Sequence, residues 1–177
     1  MSPPSPPPLD RPLPSAPHFT LSELVFSSTA QNYGLDNTPS PAALERLLQL
    51  ARLVLEPLRM RFGAIKVTSG YRSPELNWYV SLNRTSRHCR GEAADIRPLA
   101  PGVETPLLAL WARANLPCGQ IILYNSSKDW LHIDLAGPGA SPPRLYVSQG
   151  QRSPAPIAAD DLARLVSRRA LGKELTS

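Results

Sequence analysis

Three residues far apart in the chain constrain its fold more than any other feature. They are His88 and Asp95, within Ser86-Arg87-His88-Cys89-Arg90-Gly91-Glu92-Ala93-Ala94-Asp95-Ile96, and His132, within Trp130-Leu131-His132. An imidazole and a carboxylate at this separation do not share a helical face, where neighbours recur every three or four residues. They meet if the chain turns at His88 and runs extended through Asp95, with a neighbouring strand bringing His132 alongside. Gly91 permits the turn, Ala93 and Ala94 allow close approach, and Ile96 closes a short apolar strand end. Two histidines and one aspartate would fill three positions of a tetrahedral Zn²⁺ and leave the fourth to water. That is the arrangement of a catalytic rather than a structural site, with one zinc per chain.

Around His132 the pattern is that of a strand. Trp130, His132 and Asp134 then share one face, and Leu131, Ile133 and Leu135 share the other. His132 therefore projects from the surface opposite the apolar one, as an open metal site requires. A strand histidine bonded to a neighbouring carbonyl would give the same local sequence, so the metal reading rests on its combination with His88 and Asp95. The chain's other histidine is His18.

The remaining pattern predicts an α+β domain, a small and mostly antiparallel sheet packed against helices. Ser40 as N-cap and Pro41 at the first helical position open a helix. Its apolar residues Leu44, Leu47, Leu48, Ala51, Val54, Leu55 and Leu58 recur at helical spacing; Pro57 is expected to kink or end it, and Gly63 to stop it. Ala64 to Thr68 alternates as a strand, Pro74 opens a short helix through Trp78-Tyr79-Val80, and Pro106 to Ala114 forms a third apolar helix. Ile121 to Tyr124 and Trp130 to Leu135 are adjacent strands joined at Asn125-Ser126-Ser127-Lys128.

The sequence divides into residues 1–17, a Pro-rich disordered leader; 18–150, the domain; and 151–177, a linker followed by a basic amphipathic helix expected to lie outside the core. At 177 residues, less these ends, the chain has the length of one domain. No apolar run is long enough to cross a bilayer, so membrane insertion is not expected. The start, Met1 to Pro8, lacks the basic and apolar stretches of a secretion signal.

The formal charge is +5. Arg84, Arg87, Arg90 and Arg97 crowd the His88–Asp95 motif, and Arg164, Arg168, Arg169 and Lys173 load the C-terminus. The interleaved aromatics of a single-strand nucleic-acid binder are missing, so nucleic acid is not the expected partner. A polyanionic surface such as the bacterial wall would also attract a basic face, and a solvated face is the plainer account of many of these arginines. Cys89 and Cys118 could pair, bind metal or stay free; two free thiols are the expected state.

Ser-x-His-x-x-Gly-x-Ala-x-Asp-Ile over residues 86–96 is preceded by Thr68-Ser69-Gly70-Tyr71-Arg72-Ser73-Pro74-Glu75-Leu76-Asn77 and followed by Trp-x-His at 130–132. With Phe19 to Leu24 and Asp36-Asn37-Thr38-Pro39, this order resembles the zinc D-alanyl-D-alanine carboxypeptidase family of peptidoglycan peptidases, over about His18 to Leu135. The resemblance implies the fold shared with hedgehog signalling domains and His88, Asp95 and His132 as zinc ligands. It also implies that Arg72 binds a substrate carboxylate, a task to which a guanidinium fork is suited. Tyr71 and Ser86 also match its motif, lining the pocket or holding the ligands in place.

The chain departs from the family at the general base. Relatives usually carry a glutamate shortly before Trp-x-His, where this chain has Tyr124 and Asn125. Asp129 is the expected substitute, with Glu92 and Asp134 as weaker candidates. The reading is a zinc peptidase of peptidoglycan stem peptides, acting as a monomer, with a water at the open metal position as nucleophile. The alternative is an inactive zinc-binding or wall-binding module of the same fold.

Overall fold

Ser40 does cap a helix, its hydroxyl accepting the Ala43 N–H at 3.3 Å, and that helix forms the spine of the domain. The computed structural model describes residues 7–81, 83–125, 129–137, 143–149, 153–164 and 166. The chain begins with a two-stranded ribbon, β1 (Pro12–Leu13) and β2 (Ala16–Thr20), then short helices α1 (Leu21–Val25) and α2 (Ser28–Tyr33). The spine follows as α3 (Pro41–Leu50), a π-helical stretch (Ala51–Leu55) and α4 (Glu56–Phe62). The disturbance expected at Pro57 thus comes before it. The Glu56 N–H bonds Ala51 O, five residues back, and Pro57 has no N–H to offer Leu53.

Next come β3 (Ile65–Ser69), α5 (Pro74–Val80), a 3₁₀ turn (Arg87–Arg90), β4 (Ala93–Pro98) and α6 (Thr105–Asn115). Strands β5 (Cys118–Asn125), β6 (Trp130–Leu135), β7 (Arg144–Gln149) and β8 (Ala155–Pro156) complete the sheet. Its order is β3-β4-β6-β5-β7-β8. Every neighbouring pair is antiparallel except β5 and β7. The α+β class and the β5–β6 pairing are as expected; β7, inserted parallel to β5, carried no clear signal in the sequence.

Strand alternation assigns the two faces of the sheet. Val67, Ile96, Leu131, Ile133, Ile121 and Leu123 point into the core with Leu47, Leu50, Val54, Leu55 and Leu58 of the spine and Leu108 of α6. The opposite face carries Asp95, Arg97, Trp130 and His132.

Two expected boundaries need correction. Composition marks residues 1–17 as an unpacked leader, yet Leu13 and Ala16 are buried in the core, because the β1–β2 ribbon turns their side chains inward. Residues 1–6 lie outside the described residues. The C-terminal segment was expected outside the core, but Leu162 is 1% exposed and belongs to the core cluster, with Ile157 and Ala159 packed against it. The Pro-rich break Ser153 to Pro156 supplies β8, whose Ala155 and Pro156 pair with Val147 and Tyr146; proline is tolerated in such an edge strand. Helix is present at 159–164 and 166. Leu165, Arg168, Arg169 and Lys173 fall outside the described residues, as do positions 126–128 of the β5–β6 connection.

Candidate metal centre

The ladder between β4 and β6 sets Asp95 directly opposite His132, so two of the three expected ligands meet through strand register alone. The third arrives on the 3₁₀ turn, which ends at Gly91 with φ of 69°. At this position a side chain is doubly excluded: the backbone is left-handed, and a Cβ would lie 2.1 Å from the Ala43 carbonyl oxygen of α3. The turn therefore tucks against the spine and aims His88 at the end of the sheet.

The orientation of His88 depends on a second glycine. The Gly70 carbonyl oxygen lies 2.7 Å from His88 Nδ1 and accepts its proton, leaving Nε2 with a free lone pair. Any Cβ at Gly70 would sit 2.0 Å from Leu24 O, the oxygen that accepts the Tyr71 N–H at 2.8 Å. Asn37 laces this segment down. Its Nδ2 donates to Val25 O at 2.7 Å and Tyr71 O at 3.2 Å, and its Oδ1 accepts the Ser73 N–H at 2.7 Å.

The donor atoms converge. His88 Nε2 is 3.3 Å from His132 Nδ1 and 3.4 Å from Asp95 Oδ1, and His132 Nδ1 is 2.9 Å from Asp95 Oδ1. Bonds of about 2.0–2.1 Å in tetrahedral geometry place ligand atoms about 3.3 Å apart, so this donor set fits Zn²⁺. Among the described residues these three form the one group able to hold a metal ion. His88 is buried, while Asp95 and His132 retain partial exposure, which leaves one side open. Burial would raise the Asp95 carboxyl, but when the two imidazoles are protonated the charges and hydrogen bonds of His88 and His132 outweigh it and hold Asp95 well below the usual carboxylate range.

Arg72 lies beside the ligands, as expected, but the carboxylate it holds is that of Asp95, Nη2 to Oδ2 at 2.7 Å. Its Nε donates to Ser69 Oγ at 2.8 Å. Tyr71 and Ser86 are 5% and 6% exposed, the one next to Gly70 and the other two residues before His88. Asp129, half-buried, immediately precedes β6. Asp134 is buried, accepts the Gln120 N–H at 2.7 Å and lies 3.4 Å from Arg87 Nε; burial raises its carboxyl despite these partners. Glu92 accepts from Arg90 at 2.9 Å.

Two supports escaped the sequence reading. Asn37 is one. The other is Arg87, next to His88, whose guanidinium donates to Leu135 O and pairs with Asp134, stapling the ligand turn to the strand that carries His132. Only the position of Arg87 beside a ligand could have flagged it. Tyr124 stacks flat on Trp130 with ring centroids 4.5 Å apart and planes at 5°. Cys89 and Cys118 are free, and neither belongs to the metal-binding group.

No curated protein matches the chain. The family model described as Peptidase M15 matches residues 17–134, a span that opens at β2 and closes on β6 just past His132. With the three ligands and strands β3, β4 and β5 inside that span, the chain belongs to the Peptidase M15 family of zinc-dependent metallopeptidases.

Proposed function

We propose that this chain hydrolyses peptide bonds in the stem peptides of bacterial peptidoglycan. The observation that carries this reading is the set of three donor atoms, spaced for tetrahedral zinc and open on one side. Zinc bound there supplies Lewis-acid polarisation of the scissile carbonyl and acidifies a water. His88, Asp95 and His132 hold it; Gly70 O fixes the His88 tautomer, and Arg72 fixes the Asp95 carboxylate.

Proton transfer falls to Asp129, the acid three residues ahead of His132. It would take the proton of the attacking water and return it to the leaving amine. Glu92 and Asp134 suit this less well, since Glu92 is held by Arg90 and Asp134 is buried against Gln120 and Arg87. The test is release of new amino groups from purified wall peptides by the full chain, chelated and then reloaded with zinc. No release from any wall type overturns the reading.

The absence of glutamate at Tyr124-Asn125 favours a second reading, a wall-binding module without turnover. Asp129→Asn separates the two. If Asp129 is the base, the variant keeps zinc and peptide affinity while losing roughly 10²–10⁴-fold in turnover. A wild-type rate in that variant removes Asp129 from the mechanism. An inactive wild type that Asp129→Glu does not awaken favours the binding module.

A further inference from the structure

The helix that leads from Arg72 toward the ligand turn carries aromatic rings that the core does not use. In α5, Leu76 and Asn77 are buried, while Trp78, Tyr79 and Val80 are exposed. Trp78 and Tyr79 are each more than half exposed, and so is Tyr33 of α2, whose ring centroid lies 5.0 Å from that of Tyr79 at a tilt of 34°. One exposed aromatic needs no explanation, but three gathered on two packed helices do.

The rings are braced, so they form a fixed surface. Tyr79 leans on Tyr33, and the Arg84 guanidinium lies 3.6 Å over the Trp78 ring. Trp78 is still 58% exposed, so its other face is open. The loop that holds Arg84 is itself tied down. Asn77 Nδ2 donates to Asn83 O at 2.8 Å, Asn83 Oδ1 accepts the Thr85 N–H at 3.0 Å, and Arg90 donates to Thr85 O at 3.3 Å. At the start of α5, Asn37 Oδ1 accepts the Ser73 N–H at 2.7 Å. A ring already held in one pose loses little freedom when a ligand covers it.

The rings also lie between the two segments that build the metal centre. Arg72 holds Asp95, and the loop after α5 runs into the turn of His88. Pro74 to Trp78 advances about 6 Å along the helix, and the two residues before it add at most about 7 Å. Trp78 is therefore within about 13 Å of Arg72, the reach of about four residues of extended peptide. A stem peptide in the metal centre can bring what it is attached to onto these rings, and that is a glycan strand of N-acetylated pyranoses.

Sugar suits this surface better than the other candidates. The axial C–H bonds of a pyranose give it an apolar, weakly electropositive face, which matches the electron-rich face of Trp or Tyr. The N–H donors at the edge of Arg84 suit hydroxyl and acetamido oxygens. A nucleic acid would need phosphate contacts as well, yet Arg87 and Arg90, the next cations along the chain, already hold Asp134 and Glu92, and Glu75 shares α5 with the rings. Three half-exposed rings offer roughly 300 Å², well short of the roughly 800 Å² that a stable protein interface covers on each partner.

We propose that Trp78, Tyr79, Tyr33 and Arg84 form a platform for the glycan strand that bears the stem peptide, a binding surface separate from the metal centre. The choice of sugar rests on the wall-peptidase reading.

The test uses the zinc-loaded full chain and peptide-free glycan strands prepared from bacterial wall, with binding read by calorimetry. Wild type is expected to bind the strands, and Trp78→Ala to weaken that binding at least about tenfold, the loss of one stacked ring. Trp78→Phe should keep part of the affinity. Tyr33→Ala, which removes the brace from Tyr79, should weaken it by a smaller factor. Zinc content and cleavage of sugar-free stem peptides should be unchanged in all three variants, whereas Trp78→Ala should raise KM for soluble glycan-linked stem peptides at constant kcat.

No glycan binding by wild type overturns the proposal, as does a Trp78→Ala variant that binds the strands like wild type or loses cleavage of sugar-free and glycan-linked peptides alike. If Trp78→Ala does not fold, Tyr33→Ala decides, with weakened glycan binding expected and unchanged binding contrary. A single-stranded oligonucleotide that binds more tightly than the glycan and depends on Trp78 overturns sugar as the occupant. Glycan binding without cleavage of any peptide overturns hydrolysis alone and leaves the platform standing.

Discussion

The two faces of the central sheet differ in what a substitution does to them. On the core face Ile96, Leu131 and Ile133 are fully buried, and each is there to exclude water. On the other face, one residue away along the same strands, Asp95 and His132 keep partial exposure and hold polar partners. Alternation with period two thus separates stability from chemistry in adjacent residues. The separation is possible because the helical spine and α6 cover one face and leave ligand-bearing turns to rim the other.

The largest expected effects come from substitutions placed to break that separation. His88→Ala, Asp95→Ala and His132→Ala should each abolish stoichiometric zinc binding, measured by elemental analysis after dialysis, because a site reduced to two ligands is weak. In the chelated protein the same variants should melt close to wild type. Leu131→Ala should do the reverse, losing about 2–5 kcal/mol of stability by denaturant unfolding while the folded fraction still binds zinc. If His132→Ala unfolds the chelated protein as readily as Leu131→Ala, the two faces are not separable and the ligand cluster is part of the core.

The sequence made much of this comparison legible and hid the rest for identifiable reasons. The Leu131/His132 alternation and the His88–Gly91–Asp95 turn are local patterns, so the ligand set could be read directly. Arg72 and Asp95 pair across 23 positions and Arg87 reaches Leu135 across 48; no local pattern encodes such partners. Pro154 and Pro156 mark a linker by composition, yet an edge strand that needs no donor from proline absorbs them. The β1–β2 ribbon was hidden in the same way, with Leu13 lying among prolines whose composition suggests an unpacked leader.

A smaller effect tests the corrected C-terminus. Leu162 is in the core but far along the chain from the ligands, so Leu162→Ala should cost about 2–4 kcal/mol and leave zinc affinity and turnover of the folded protein unchanged. Truncation after residue 152 removes both Leu162 and β8 and should lower the melting temperature by at least as much. A truncated protein melting like the full chain would return this segment to the status of a tail.

The smallest expected effect concerns the cysteines, which the sheet also sorts by side. Cys118 is in the core cluster beside Leu135, and burial, with Asp134 nearby, pushes its thiol up to about 12. At pH 8 its reactive thiolate is a trace, on the order of one part in ten thousand. Cys89 sits in the ligand turn, half-buried; burial raises its thiol too, but Arg72 and Arg90 oppose that shift. Iodoacetamide should therefore modify Cys89 slowly and leave Cys118 untouched until the protein is denatured, as read by peptide mass spectrometry. Cys89 is also the thiol that could compete for zinc, being next to His88 in sequence. The donor cluster is complete without it, so Cys89→Ser should bind zinc with wild-type affinity in competition with a chromogenic chelator. Tenfold weaker binding would make Cys89 a fourth ligand. A site closed by four protein ligands would have no position for water, and the comparison would then set one structural face against another.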